Sequence, residues 1–334
     1  MNYLDYPPET AADVVRVRRR IEEAGLPPKV MDHNLLIGTW NIRMFGKVYP
    51  SFEENPDSPK RNLRALAIIA EIISRLDVVA IQEVRRDISG LRLLLDMLGP
   101  QWGVIISDVN EGREGNAERL TFLYDRRRVT PSGLAGELVL PPDWGNQAIQ
   151  QFARTPYAVS FRAGEEAFIL VTVHIKYGSG DPNERIPELE AFAEWIANWG
   201  QQETRYHQDI IVLGDFNIDR RDDPRFEAFA SRGLNVPPAL RDVSTNLATG
   251  KKAKYYDQIG WFMGQLNMEF TGRAGTVNFA KAVFKELTLS QMSYRVSDHL
   301  PLWAEFSIDR SRFYLMQALG LDASLPDPLA AVPD

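Results

Sequence analysis

Four apolar runs of this 334-residue chain are closely followed by hydrogen-bonding or ionisable residues. The runs and the residues after them are 35–40 before Asn41, 78–81 before Gln82 and Glu83, 168–173 before His174, and 210–213 before Asp215 and Asn217. The same polar residue types are common in turns, so each of these positions taken alone could simply end a strand in a turn. If the runs are strands of a layered structure, however, their ends are rigid points where carboxylates, amides and an imidazole can converge. Such a group could hold a hard cation and move protons.

A fifth segment, Ser297-Asp298-His299-Leu300-Pro301, adds a carboxylate and a second imidazole from near the end of the chain. Carboxylates, carboxamides and two imidazoles from distant parts of one sequence indicate a reaction centre more strongly than a set of unrelated turns. The remaining histidines, His33 and His207, have no comparable neighbours. We therefore expect them to be ordinary surface or core residues.

The composition limits the chemistry that these residues can perform. The chain has no cysteine, which excludes disulfides, thiolate metal sites and a cysteine nucleophile, so any metal would have mainly oxygen ligands. A net charge of -7 argues against broad electrostatic adhesion to nucleic acid. Local contact is still compatible with this charge, because a bound divalent cation reverses the sign of an acidic pocket.

The chain shows no sign of a membrane segment. It begins Met1-Asn2-Tyr3-Leu4-Asp5, without the apolar run of a secretory signal. Its strongest apolar stretches, such as 65–73, are broken by charge before the ~20 residues that a bilayer requires. We expect a cytoplasmic protein with no membrane association and no obligate protein partner.

Short apolar runs alternate with amphipathic segments, a pattern typical of a layered α/β protein. The spacing predicts helices over 63–73, 89–98 and 184–199, and strands over 35–40, 77–81, 168–173 and 209–213. Before this central domain, 34–308, we expect a helical extension, 1–33, that begins with a capping box at Thr10-Ala11-Ala12-Asp13. After it, 309–334 is expected to form a terminal helix and tail.

The motifs resemble, in order, those of the endonuclease/exonuclease/phosphatase superfamily over residues 35–307. They are Thr39-Trp40-Asn41-Ile42-Arg43, Gln82-Glu83-Val84, Gly214-Asp215-Phe216-Asn217 and Ser297-Asp298-His299. Further segments look most like deoxyribonuclease I, namely 41–46, 81–85, Glu118-Arg119, Phe152-Ala153-Arg154-Thr155-Pro156 and Tyr256-Asp257-Gln258-Ile259. The resemblance implies a four-layered α/β sandwich, with two packed mixed β-sheets flanked by helices, and hydrolysis of phosphodiester bonds in DNA.

The resemblance also implies roles for individual residues. Asn41, Glu83, Asp215 and Asp298 would hold Mg²⁺, with Mn²⁺ able to substitute, since these are hard oxygen ligands. His299, polarised by Asp257, would activate water, and His174, polarised by Glu118, would protonate or stabilise the leaving oxygen. Asn217 and Arg154 would hold the non-bridging phosphate oxygens. Substrate contacts are expected from Arg43, Arg85, Lys252 and Lys254, for which surface ion pairing or a solvated loop is the alternative.

Two alternatives to a DNA endonuclease remain. A phosphomonoesterase or a phospholipid or inositol-phosphate hydrolase could share the scaffold, although Tyr255-Tyr256 matches the aromatic-rich signature of inositol-phosphate members poorly. A binding module that has lost catalysis is the second alternative, but every required position is filled. One departure is that Asn116 stands where deoxyribonuclease I has its groove-inserting tyrosine.

Overall fold

The computed structural model describes residues 1–111, 115–141, 151–178, 181–201, 209–247, 253–321 and 328–332. Its α-helices are α1 (Pro8–Glu23), α2 (Leu63–Ile73), α3 (Ser89–Leu98), α4 (Ile186–Gly200), α5 (Pro224–Ala230), α6 (Leu289–Ser293) and α7 (Ser311–Ala318). Its strands are β1 (Asn34–Phe45), β2 (Val78–Arg85), β3 (Trp102–Ile106), β4 (Glu118–Asp125), β5 (Thr130–Glu137), β6 (Tyr157–Ala163), β7 (Glu166–His174), β8 (Ile210–Asp215), β9 (Leu234–Asn235), β10 (Asp257–Phe262), β11 (Glu269–Thr276) and β12 (Leu302–Ser307). Short 3₁₀ helices cover Tyr3–Asp5, Pro182–Arg185, Pro238–Leu240 and Pro328–Ala331.

The strands form two mixed six-stranded sheets. The first sheet has the order β11-β12-β1-β2-β4-β3, and the second has the order β5-β6-β7-β8-β10-β9. Near the centre of each sheet lies one parallel pair, β1 with β2 and β7 with β8, whereas the other pairs are antiparallel. The predicted four-layered α/β sandwich is therefore confirmed.

Alternation along β1 shows how the layers are built. Leu35 and Ile37 pack with the second sheet, whereas Leu36 and Trp40 pack on the helical side with α2. The helices predicted over 63–73 and 89–98 are confirmed with the same bounds. The predicted helix 184–199 begins as a 3₁₀ turn and continues as α4.

The N-terminal helix starts earlier than the predicted capping box. Its first residue is Pro8, whose fixed φ and missing N–H suit a first helical turn, and no side chain caps the helix. Thr10 and Asp13 are instead buried inside α1, and Asp13 Oδ2 accepts a hydrogen bond of 2.8 Å from Arg64 of α2. The capping-box prediction is therefore wrong, but the predicted helix is present and docks on the helical layer.

The C-terminal helix α7 lies on the surface, with no buried residue. The residue before this helix, Arg310, pairs with Glu166 of β7 in the second sheet. None of the helices in the described ranges combines the length and the hydrophobicity of a membrane-spanning segment.

Candidate active site

Both parallel strand pairs contribute to one cleft. The register places Asn41 of β1 beside Gln82 of β2, and His174 of β7 beside Asp215 of β8. His174 and Asp215 are the last residues of their strands, one and two residues beyond the predicted strands 168–173 and 209–213. Asn41 and Glu83 lie within β1 and β2 rather than after them, where the pairing becomes irregular. Such irregularities re-aim side chains, so all four side chains still face the cleft.

Glu83 has a strained backbone, with φ at 61° in the left-handed region. Non-glycine residues seldom adopt this conformation unless surrounding contacts impose it. Here the amide of Met44 donates to Glu83 Oε2 over 2.8 Å, and Met44 itself has a φ of 46°. The ends of β1 and β2 therefore hold the Glu83 carboxylate in place.

Glu83 and Asp215 meet at the amide of Asn41. Asn41 Nδ2 donates to Glu83 Oε1 and to Asp215 Oδ2, each over 2.9 Å. Asn41 Oδ1 and Asp298 Oδ1 are buried acceptors without a hydrogen-bond partner in the described part of the chain. Carboxylate and amide oxygens, two of them unsatisfied, are the donor set that a hard divalent cation such as Mg²⁺ prefers.

A second grouping, Asp215, Asp257 and His299, also has potential ligand atoms within 4.8 Å of one another. However, the Asp257 carboxylate is already hydrogen-bonded to His299 Nδ1 over 2.8 Å. Ligation through His299 Nε2, the ring nitrogen that this bond leaves, would occupy the atom that faces Asp215 Oδ2. The oxygen set around Asn41 is therefore the better candidate for a cation.

Each histidine of the cleft is bonded to a buried carboxylate from the opposite sheet. His174 Nδ1 of β7 lies 2.9 Å from Glu118 Oε2 of β4, and His299 Nδ1, just before β12, lies 2.8 Å from Asp257 Oδ2 of β10. The Nε2 atoms of His174 and His299 lie 3.6 and 3.7 Å from the same oxygen, Asp215 Oδ2. The two imidazoles therefore point towards one spot, which exists only when the sheets pack together.

The charges of these groups are strongly interdependent. Burial opposes protonation of His299, but the negative charges of Asp257 and Asp215 outweigh it and raise the pKa of His299 to about 10. Burial likewise opposes ionisation of Asp215, yet His299 and His174 hold its pKa below the usual value. For Asp257, burial dominates and raises the pKa. The cleft thus pairs an ionised Asp215 with a cationic His299.

The backbone and ring of His299 are held by neighbouring elements. Trp40 Nε1 of β1 donates to the His299 carbonyl over 2.9 Å. Ser297 Oγ donates to the Asn41 carbonyl over 2.6 Å and accepts from the His299 amide over 3.0 Å. The ring of Tyr256 lies against the imidazole, with 5.5 Å between centroids. These contacts fix His299 relative to β1, which carries Asn41.

Asn217 and Arg154 also line the cleft. Asn217, at a φ of 52°, uses one Nδ2 hydrogen on the Ile175 carbonyl over 2.6 Å, which leaves its second N–H available. Arg154 Nε lies 2.7 Å from Glu118 Oε2, but its N–H is not aligned with that oxygen. The buried carboxylate of Glu188 supports this region by accepting from the amides of Ala153 and Lys176 over 2.9 and 3.0 Å.

Four cationic residues are predicted to contact the substrate. Three of them form ion pairs with acidic residues around the cleft. Arg43 Nη1 lies 3.4 Å from Asp298, Arg85 Nη1 lies 3.4 Å from Glu118, and Lys254 Nζ lies 2.6 Å from Asp219. To contact a polyanion, each of them would have to share its acidic partner. Lys252 and His207 lie outside the described residues, and His33 is a surface residue that pairs with Asp309.

Asn116 supports the catalytic carboxylate candidate Glu118. Its φ is 56°, and its Nδ2 donates to Glu118 Oε1 over 2.5 Å. The position that resembles the groove-inserting tyrosine therefore carries a short, exposed polar residue that is hydrogen-bonded to Glu118.

Arg61 was not predicted from sequence. It is 4% exposed and donates to the carbonyls of Arg43, Arg295 and Val296 over 2.7, 2.8 and 3.1 Å. Burial lowers its pKa to about 10. Arg61 thus ties the end of β1 to the segment before Asp298. A single arginine in a proline-bearing loop carries no pattern that marks this role.

The chain matches the Endonuclease/Exonuclease/phosphatase family over residues 38–299, and it belongs to that family of hydrolases. Among its relatives is a deoxyribonuclease of Thioalkalivibrio sp. (strain K90mix), 29% identical over 84% of this chain and 73% of the relative. Deoxyribonuclease gamma of Rattus norvegicus is 25% identical over 84% of this chain and 86% of the relative. A Bacteroides thetaiotaomicron mannosyl-6-phosphatase shares the fold, with a TM-score of 0.52, 16% identity, and coverage of 81% of this chain and 99% of that one.

Proposed function

We propose that this protein is a divalent-metal-dependent DNA endonuclease that hydrolyses phosphodiester bonds with a histidine-activated water. The observation that carries the proposal is the convergence of His174 and His299. Their Nε2 atoms lie 3.6 and 3.7 Å from one oxygen of Asp215, while each Nδ1 is bonded to a buried carboxylate. Two oriented imidazoles beside an acidic oxygen set can move one proton from water and another to the leaving oxygen.

Asn41, Glu83, Asp215 and Asp298 would hold the cation, with Mg²⁺ expected and Mn²⁺ able to substitute. When bound, the cation would neutralise charge on the phosphate oxygens and lower the pKa of water. The unsatisfied oxygens of Asn41 and Asp298 support this set, because buried acceptors are otherwise nearly always partnered.

His299 would accept the proton of the attacking water. Asp257 would hold the Nδ1 hydrogen, so that the neutral imidazole would present its Nε2 lone pair to the cleft. The carboxylates that raise the pKa of His299 include Asp215, so charge neutralisation at Asp215 would bring that pKa back towards neutral pH. His174, oriented by Glu118, would donate its Nε2 hydrogen to the leaving oxygen.

The phosphate would be held by neutral and charged donors. The second N–H of Asn217 and the guanidinium of Arg154, which lies 2.7 Å from Glu118, would donate to the non-bridging oxygens. Arg43, Arg85, Lys254 and Lys252 would contact the flanking phosphates. Catalysis would belong to the central domain, 34–308, with 1–33 and 309–334 as attached helical segments.

DNA is the proposed substrate because deoxyribonucleases are relatives over 84% of the chain. The fold alone does not separate diesterases from monoesterases, since the mannosyl-6-phosphatase shares it. Activity must therefore decide between DNA cleavage, phosphomonoester hydrolysis, phosphoinositide hydrolysis and loss of catalysis.

The test is to incubate the purified protein with plasmid, linear duplex, single-stranded DNA, RNA, a sugar phosphate and phosphoinositides in Mg²⁺. We expect internal nicks in plasmid DNA, and their loss in His174→Ala and His299→Ala variants whose circular dichroism is unchanged. Near-normal turnover by either variant would overturn the histidine mechanism. Release of phosphate from monoesters without cleavage of DNA would overturn the substrate class.

A further inference from the structure

Two exposed tyrosines at the rim of the candidate active site each lie on an arginine. Tyr177 is 57% exposed as a residue, and the guanidinium carbon of Arg185 lies 4.2 Å from the centroid of its ring. Tyr294 is 50% exposed as a residue, and the guanidinium carbon of Arg43 lies 3.8 Å from the centroid of its ring. Each tyrosine therefore has a cation over its ring, and each remains largely exposed to solvent as a residue.

Tyr177 is connected to the site through both its backbone and its side chain. It follows His174 by three residues, and its carbonyl accepts from Arg185 Nε over 2.8 Å. The same arginine, which is 2% exposed, donates to the Asn217 carbonyl over 2.5 Å. The phenols of Tyr177 and Tyr256 are close enough to interact, and Tyr256 lies against His299. Tyr177 is thus held in place beside the histidines.

Tyr294 occupies the corresponding place on the side of the first sheet. Arg43, which lies on its ring, donates to Ser293 Oγ over 2.8 Å and lies 3.4 Å from Asp298. Because Arg43 belongs to β1 and Tyr294 precedes the Ser297-Asp298-His299 segment, this ring borders the proposed cation ligands. Tyr177 and Tyr294 therefore border the cleft from the second and the first sheet.

An aromatic ring fixed from one face and open on the other is a platform on which a nucleobase can stack. Bases inside a duplex are covered by their neighbours, so they can reach such a platform only when they are unstacked. A chain with a net charge of -7 also gains little from counterion release along a long duplex. Stacking offers an affinity that does not depend on a basic surface.

We propose that Tyr177 and Tyr294 stack the nucleobases on either side of the scissile phosphate, which makes single-stranded or locally unpaired DNA the preferred substrate. This inference rests on the proposed nuclease function and deepens it. The two stacks align the strand across the cleft, and they select nucleotides whose faces are free.

The kinetic test compares Tyr177→Leu, Tyr294→Leu and the double variant on a single-stranded oligonucleotide and on the same sequence as a duplex. Loss of one base stack should lower kcat/KM on the single strand about tenfold, and on the duplex less than about twofold. Phenylalanine at either position should retain single-strand activity, because the ring remains. Tyr314→Leu is the matched control, since Tyr314 is 48% exposed but lies on α7.

A binding test separates this inference from the proposed function. The His299→Ala variant, in Mg²⁺, is mixed with an oligonucleotide that contains 2-aminopurine, whose fluorescence is quenched when it stacks on tyrosine. We expect quenching that is reduced when Tyr177→Leu or Tyr294→Leu is added to His299→Ala. Unchanged quenching, or equal kinetic losses on single strand and duplex, would overturn the stacking proposal. Absence of DNA cleavage by the unmodified protein, with quenching intact, would overturn the nuclease function alone.

Discussion

His299 and Asp257 form a buried hydrogen bond of 2.8 Å between the two sheets of the sandwich. His299 precedes β12 of the first sheet, and Asp257 is the first residue of β10 of the second. The pair is therefore completed by packing of the sheets and not by either sheet alone. His174 and Glu118 repeat this arrangement with the sheets exchanged.

Replacing Asp257 with Asn should leave the fold intact but lower kcat by about 10³-fold to 10⁴-fold, as for an imidazole held in the wrong tautomer. The pKa of His299 should fall, because Asp257 is the nearest carboxylate that raises it. A pH titration of the His299 imidazole by NMR checks the shift, and single-turnover cleavage checks the rate. Unchanged titration and rate would show that this hydrogen bond does not orient the base.

Cation binding gives a second prediction. Glu83→Gln removes the negative charge of one of the four proposed ligands, which are Asn41, Glu83, Asp215 and Asp298. Mg²⁺ should therefore bind at least about tenfold more weakly, and it should raise the melting temperature of the variant less. Glu23→Gln is the control, because the Glu23 side chain is 60% exposed on α1. Calorimetric titration with Mg²⁺ measures the affinity, and EDTA should abolish cleavage until Mg²⁺ or Mn²⁺ is restored. Equal affinity in the Glu83 and Glu23 variants would exclude Glu83 as a ligand.

The sequence was sufficient to predict the layers and the strand ends that carry the site. Apolar runs of strand length marked β7 and β8, and their last residues, His174 and Asp215, meet because parallel neighbours end at the same edge. His174 and Glu118 are 56 residues apart, so no local periodicity predicts that they pair. The prediction of this pair came from the family resemblance. The functional roles of these residues stay predictions.

Other parts of the site depend on tertiary contacts that no local pattern encodes. The irregular pairing of β1 and β2 places Asn41 and Glu83 inside longer strands than the apolar runs indicated. Arg61 is recognisable only once the carbonyls around it are known. The Tyr177 platform similarly requires Arg185, which comes from the next helical segment. Long-range contacts of this kind decide the rim of the cleft.

Arg61 should be important for both stability and activity. Arg61→Met leaves several buried carbonyls without a donor, which should cost about 2 to 4 kcal/mol of unfolding free energy. Because the same bonds connect the end of β1 to the segment before Asp298, kcat should also fall in the folded variant. Urea unfolding measures stability, with Arg86→Met as control, since the Arg86 side chain is 64% exposed. A loss no larger than that of the control would contradict this role.

Asp209 gives a prediction for stability away from the cleft, because it precedes β8 at the end opposite Asp215. Burial raises its pKa to about 6, so the folded chain binds more protons than the unfolded chain between about pH 4 and 6. Stability from this group is therefore lost as the pH rises through that window. Asp209→Asn keeps an acceptor for the Asn267 amide and tolerates the φ of 61°. The variant should be more stable by on the order of 2 kcal/mol at pH 8, with little difference below pH 4. Urea unfolding across this range measures the difference, and a constant difference would show that Asp209 does not titrate abnormally.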